Sequence, residues 1–451
     1  MIGLLVTLIL FPLVGWSIAR RSWGEAFLFG AGLTGTLLFL AGLLHVPLVV
    51  ALAAVIVVAI LRLWRQPQNS DPRPPTPDTR LATVAMVLPL LALAFITFIT
   101  PLNDFDGRAF WALKAKGIAH ERSINGPFFR GATLDPRNHY PILIPLDGAV
   151  ILGIAHDLDD RQLRWLYLGL LTALALLVRE RIDRLVSPAA GAWCAAILVW
   201  IPQFTVELEG GVLSAYSDIA IAAFAAGAFF ELVDAVSESR SFAVSQSALT
   251  QPPRDRETAQ PRDNATPHRD REIRFGLWLA FLVLTKSEGL PIALVFLVIG
   301  AFVFRKRIAL PAIITGIASA ALLIWRIRIP AGDEEDVFRL LPTIPEKLHR
   351  IGDALAAFPK HMLLFPRWGI FWIAVVIAAI FALRVNRRAA WLAISVIASM
   401  LTVYAAVYVT TAWVPSELIA VTADRLLMHI IAPPLFLLAL AVREKPAPLS
   451  G

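Results

Sequence analysis

Apolar residues fall in long runs along this chain, at 1–19, 24–44, 46–64, 81–100, 141–156, 163–178, 189–205, 215–236, 274–287, 289–305, 308–328, 368–384, 389–412 and 425–442. A hydrocarbon core of roughly 30 Å is crossed by about 20 apolar residues wound as helix, and the chain supplies that length repeatedly. Lipid offers no partner for backbone N–H and C=O groups, so each run is read as helix. The pattern predicts an all-α polytopic membrane protein of about 13 transmembrane helices. In the first run the basic residues Arg20 and Arg21 follow the apolar stretch, and no small-residue cleavage site appears, so it is read as a retained helix.

The polar interruptions divide the chain. Residues 1–64 form an N-terminal three-helix unit, joined by the Pro-rich linker 65–80 to a transmembrane domain over 81–442, with a tail at 443–451. Within that domain, 103–140 keeps its apolar and aromatic residues and is expected to be an ordered loop. The stretch 237–274 is polar, mixed in charge and nearly free of aromatics, the composition of a disordered loop. A last long loop occupies 330–366 and carries the solvated acidic run "GDEED".

Composition sharpens this picture in two places. The formal net charge of +7 points to nucleic acid in a soluble protein, but here arginine and lysine collect in short clusters between apolar runs. That is the positive-inside signature, so the charge reports topology and no nucleic-acid partner is expected. The clusters around 20–21, 65–80, 179–184, 237–274, 305–307, 384–388 and 443–445 all fall on the cytoplasmic side if one run between Tyr140 and Arg179 does not cross. The candidate is "PILIPLDGAVILGIAH", Pro141 to His156, which is short and carries two prolines and Asp147; it is predicted to be re-entrant or oblique. The lone Cys194 excludes an intrachain disulfide.

In that topology the unusual polar residues gather on the extracytoplasmic face. Asp104 and Asp106 stand at the exit of an uncharged run, ahead of "GRAFWALKAKG", which reads as an in-plane helix with Trp111 at the interface and Lys114 and Lys116 reaching towards headgroups. Lys286 and Glu288 interrupt "LVLTKSEGLP"; a charge at the bilayer centre costs roughly 2.5 to 3.5 kcal/mol, so they occupy a turn or a polar cavity. Arg425 and His429 are four apart and share a helix face, with Asp424 beside them. Asp218 is either a helix cap or a cleft residue. His139 and Tyr140, ahead of Pro141, orient a ligand or simply form a loop.

"DFDGRAFWALKAKG" followed by "NHYPILIPLDGAVILG" resembles the first extracytoplasmic loop of the GT-C superfamily of glycosyltransferases, especially bacterial members related to the family 39 and dolichyl-phosphate-mannose protein mannosyltransferase group. "AYSDIAIAAFAAG", "LTKSEGLPIAL" and "ADRLLMHIIAPPL" extend the resemblance in the expected order, over roughly Leu81 to Val442. The resemblance implies a GT-C-like bundle that transfers a sugar from a polyprenyl-phosphate donor to a lipid, glycan or protein acceptor on the extracytoplasmic face of the cell membrane. It makes Asp106 the general base, because Asp106 directly precedes "GRAFW". Asp104 is then a helper, a metal ligand or an exit residue, and a divalent Mg or Mn ion bridging the two aspartates is a possible cofactor. Lys286, Arg425 and His429 are placed at the donor phosphate, and Trp111, Lys114, His139, Tyr140, Asp218 and Glu288 at the substrate cleft. The reaction expected is an inverting direct displacement.

The competing class is a secondary transporter or lipid-linked-glycan flippase. Such proteins place binding groups near the midplane on broken helices and show related halves. Here the charges gather at one boundary and no halves are evident.

Overall fold

A computed structural model describes residues 2–18, 22–64, 77–131, 137–206, 209–249, 265–329, 344–411 and 413–443. Every regular element among them is helical. The longer helices are α1 (Ile2–Trp16), α2 (Trp23–Leu43), α3 (Leu48–Trp64), α4 (Pro77–Ile99), α5 (Leu113–Glu121), α6 (Leu143–Ala155), α7 (Asp160–Leu185), α8 (Pro188–Trp200) and α9 (Asp218–Leu249). The second half continues with α10 (Ala265–Thr285), α11 (Gly289–Phe304), α12 (Ala309–Arg328), α13 (Ile351–Met362), α14 (Phe371–Val385), α15 (Arg387–Thr410), α16 (Pro415–Met428) and α17 (Ala432–Ala441).

Five stretches among the described residues are long and apolar enough to cross a bilayer: α2, most of α4, Asp218–Glu238 of α9, Gly289–Arg328 and α15. The pair α16 and α17, bent by 52° at a short break, makes a sixth if it is one span. Shorter apolar helices, α1, α3, α6, α8 and α14, fill out the bundle. The chain therefore reads as an all-helical membrane protein. At 13 residues α6 rises only about 20 Å. Its residues Leu143 to Leu152 are all buried, so it packs inside the bundle.

Helices in lipid are drawn together by close packing, which small residues permit. α1 and α2 touch backbone to backbone: a Cβ on Gly15 would overlap the Ala26 carbonyl, and one on Gly30 the Phe11 carbonyl. α2 starts cleanly because the Ser22 hydroxyl accepts the Glu25 amide at 3.2 Å. The central helix is α9, whose alanine-rich first half is buried at every position from Asp218 to Val233. Trp278 of α10 lies against Gly227 and 4.1 Å from the ring of Phe29 on α2.

Residues 1–64 do not share one environment. α1 and α2 are built into the core, with Gly3 N–H donating to Gln162 and Asn125 donating to the Gly42 carbonyl. α3 lies outside it, with Ala59 its one buried residue. The polar stretch expected as a loop at 237–274 is helical where it is described: α9 runs on to Leu249 and α10 begins at Ala265. Residues 250–264, most of the 65–80 linker, 330–343 and the tail from 444 lie outside the described residues.

The two ends of α9 carry opposite kinds of chemistry, separated from Asp218 to Glu231 by a rise of about 20 Å. At the Glu231 end, buried Arg181 of α7 bonds Glu25 of α2 at 2.6 Å, Glu231 at 2.9 Å and Asp234 at 2.6 Å. Arg274 adds a 3.0 Å contact to Glu231, and Arg307 of the basic turn after α11 approaches Glu272 at 3.9 Å. Arg181, Arg274 and Arg307, from three of the basic clusters, are thus at the end away from Asp218.

Candidate functional site

The site grows out of the chain leaving α4. Three acceptors there, the Thr100 carbonyl and hydroxyl and the Pro101 carbonyl, take bonds from the buried Arg164 guanidinium of α7 at 2.6, 2.5 and 3.0 Å. An arginine on exposed C-terminal carbonyls suits the negative end of a helix, so the loop that follows starts from a fixed point. Asp104 then accepts the Gly107 amide at 3.0 Å and opens a π-helical turn over Gly107–Ala112. Gly107 is required at this contact, since a Cβ there would overlap the Ser214 carbonyl.

That turn aims Asp106 into a cavity of about 320 Å³. The cavity is lined by Asp106, Phe110, Trp111, Arg137 and Tyr140 together with Tyr216, Lys286, Glu288, Trp413, Glu417, Thr422 and Arg425. The Asp106 carboxylate is 3.8 Å from the Arg137 guanidinium, which itself lies 4.4 Å from the Phe110 ring centre.

Two of the lining cations are organised by one carboxylate. Asp218 is wholly buried at the start of α9 and does not line the cavity. Its Oδ1 accepts from Lys286 Nζ at 3.0 Å and contacts His429 Nε2 at 2.9 Å, while its Oδ2 accepts from Arg425 Nε at 3.3 Å and Nη2 at 3.1 Å. Lys286 also pairs with Glu288 at 3.0 Å, and the Arg425 guanidinium lies over the Tyr216 ring at 4.3 Å. His429 Nδ1 meets the Tyr404 hydroxyl at 3.1 Å. Burial pushes the nearby Glu209 carboxyl up, with Asp104 and Asp106 acting in the same direction against Arg425. Burial likewise raises the Tyr216 phenol, which stays a hydrogen-bond donor.

Of the residues singled out from sequence, Asp106, Trp111, Tyr140, Lys286, Glu288 and Arg425 come together around this space, although they span the chain from the first long loop to α16. Others are placed behind it. Asp104 is a cap of the π turn. Lys114 points inward, not to headgroups: it is fully buried, donates to the Arg137 carbonyl at 2.8 Å and lies near the rings of Trp111 and Tyr140. His139 is buried with its ring edge on Tyr140. His429 supports Asp218 from behind and is not at the cavity surface. Asp424, next to Arg425, faces the other way and accepts from Trp368 at 2.8 Å, with His361 at 2.8 Å and Arg367 at 3.2 Å.

Arg137, Tyr216, Trp413, Glu417 and Tyr404 went unrecognised in the sequence. Arg137 had a usable signal, a lone arginine just before His139 and Tyr140; Glu417 sits in an ordinary helix start after Pro415 and had none. Among the described residues no group of three or more His, Cys, Asp or Glu is arranged to hold a metal ion. Asp104 gives Oδ1 to the Gly107 amide, and no step is derived through a metal ion at the aspartate pair. No family model, no curated protein and no solved structure matches this chain.

Proposed function

We propose that this chain is a membrane glycosyltransferase of GT-C-like architecture, moving a sugar from a polyprenyl-phosphate donor to an acceptor hydroxyl at the extracytoplasmic face. The observation that carries the reading is the cavity itself: a carboxylate from the first long loop, a lysine and an arginine line one space together with Trp111, Tyr140 and Tyr216. Aromatic faces suit a sugar, paired cations suit a phosphate, and an uncapped carboxylate suits a hydroxyl. The basic clusters at the far end of α9 support placing the cavity outside. About 13 crossings follow if α11 and α12 are counted separately and α1, α3, α7, α8, α10 and α14 are added to the long spans; α6 is then the re-entrant segment.

An acceptor hydroxyl beside Asp106 gives its proton to the carboxylate as its oxygen closes on the anomeric carbon. The bond from that carbon to the phosphate oxygen breaks with inversion. Its electron pair leaves on the phosphate, where Lys286 and Arg425 stabilise the charge. Acceptor proton, sugar and leaving group are all accounted for by these three side chains and the two substrates.

A path through the bundle, as a transporter needs, is less well supported. Between the ends of α9 the space is filled by Phe224, Phe229, Phe230, Trp278 and Phe281, each wholly buried. The test is to incubate the chain, purified in nanodiscs, with a panel of polyprenyl-phosphate hexoses and pentoses plus envelope lipid and glycan acceptors. Release of polyprenyl phosphate is the expected result; no release with any donor, together with solute uptake by proteoliposomes, would establish the transporter instead.

Two variants probe the geometry. Lys286→Ala should raise the donor KM about 10- to 100-fold, the worth of one hydrogen bond to a charged group, and an unchanged KM would return Lys286 to a structural turn. For Gly107→Ala, the π turn must retreat from Ser214 and carry Asp106 with it. A displacement near 1 Å costs about a hundredfold in kcat, so a large kcat loss with a small fall in thermal midpoint is expected, and normal kcat would show that the turn does not set Asp106.

A further inference from the structure

The Asp218 arrangement has a feature that a plain phosphate site would not need. Lys286 and Arg425, two of the three cations that line the cavity with Arg137, are already bound by one carboxylate that no solvent reaches. We infer that Asp218 is an internal anion that competes with substrate phosphate for Lys286 and Arg425 and thereby sets how tightly a lipid phosphate is held. This rests on the phosphate-binding reading of the cavity and adds a residue that touches no substrate.

The geometry carries the inference in three steps. First, the contacts exhaust Asp218: Oδ1 has Lys286 and His429, Oδ2 has both Nε and Nη2 of Arg425. With the cavity empty, the cations keep their orientation through Asp218, so little side-chain freedom is lost when an anion arrives. Second, Lys286 and Arg425 reach an entering phosphate only by being withdrawn in part from a tethered rival of like charge, whose effective concentration is high because it is part of the same fold. Phosphate binding is thereby weakened, and a phosphate left behind by group transfer is released. Third, His429 modulates the rival. Its Nε2 bonds Asp218 Oδ1 and its Nδ1 is satisfied by the Tyr404 hydroxyl, so the imidazole takes up part of the carboxylate's capacity to hold Lys286.

Opposite signs follow for two variants. Asp218→Asn removes the rival charge and should bind phosphate about tenfold tighter, the gain from one charged hydrogen bond less the loss of cation order. The double variant Tyr404→Phe/His429→Leu keeps Asp218 but frees its Oδ1 for Lys286, with both polar partners removed together so that neither is left orphaned. It should bind phosphate about three- to tenfold more weakly. A merely structural role for Asp218 moves both variants the same way.

The experiment is equilibrium binding of farnesyl phosphate to the full chain in nanodiscs, with farnesol as the uncharged control, for wild type and both variants. Tighter binding by Asp218→Asn and weaker binding by the double variant, with farnesol unaffected, is the expected result. If Asp218→Asn fails to fold, weaker binding by the double variant supports the inference and unchanged or tighter binding overturns it. Wild-type binding with both variants shifted in one direction, or neither shifted, overturns the inference and leaves the phosphate site standing. No preference of the wild type for farnesyl phosphate over farnesol overturns the phosphate site and the inference with it.

Discussion

Asp106→Asn should lower sugar transfer by at least about a hundredfold while leaving the protein folded, with donor KM little changed. The two side chains are nearly isosteric and Asp106 makes no capping bond to the π turn, so the substitution removes a proton acceptor and, besides it, only the charge of a part-exposed pair with Arg137 at 3.8 Å. On the proposed mechanism the effect belongs in kcat, because the proton is transferred as the new bond forms, whereas the donor phosphate is assigned to Lys286 and Arg425. Asp104 is the internal control. Asp104→Asn keeps an oxygen able to accept the Gly107 amide at its present 3.0 Å, so it should retain most activity, whereas Asp104→Ala loosens the turn and falls in both activity and stability. Rates for donor turnover in nanodiscs, with thermal midpoints measured in parallel, decide the point. Full activity in Asp106→Asn would remove it from the mechanism; equal losses in both Asn variants would mean that the pair acts as one unit.

The helices were readable because lipid leaves the backbone no alternative, so uncharged runs convert directly into elements. What packs against what was less readable. "KAK" suggested two lysines at the headgroups, yet residues two apart in a helix face different sides: Lys114 is buried on the Arg137 carbonyl while Lys116 pairs with Asp160. The π turn adds to this, since its wider winding shifts the phase of everything after it. The apolar set it buries is Trp111, Ala112, Ala115 and Ile118. The cavity residues were found as anomalies, charges placed where lipid makes them costly. Asp218 reads in "YSDIA" as a helix start or a cleft residue and stands at the first position of α9. Its role is created by Lys286, Arg425 and His429, which arrive from distant segments and leave no trace near it in the sequence.

Arg181→Ala should be the most destabilising single change away from the cavity, at about 3 to 5 kcal/mol. Arg181 has no exposed side-chain surface; among the described residues it is the one cation bonding Glu25, also wholly buried, and it bonds Glu231 and Asp234 as well. Removing it strands a carboxylate with no water and no partner. Glu231 keeps Arg274 at 3.0 Å, so the loss falls mainly on Glu25, and through Glu25 on the seating of α2. The test is unfolding by SDS titration in mixed micelles, comparing wild type, Arg181→Ala and the double variant Arg181→Met/Glu25→Gln. Replacing a buried ion pair by groups that carry no charge is often close to neutral, so the double variant should recover much of the loss. A cost below about 1 kcal/mol for Arg181→Ala would be the value of an exposed pair and would contradict the burial of this network. The same logic extends to the N-terminal segment: a chain lacking residues 2–64 loses Glu25, the Gly42 carbonyl that Asn125 uses and the Phe29 ring beneath Trp278 together, and should fail to reach the folded state. Recovery of a stable, active protein from that truncation would show that the cavity end of α9 holds its shape without the clamp at its other end.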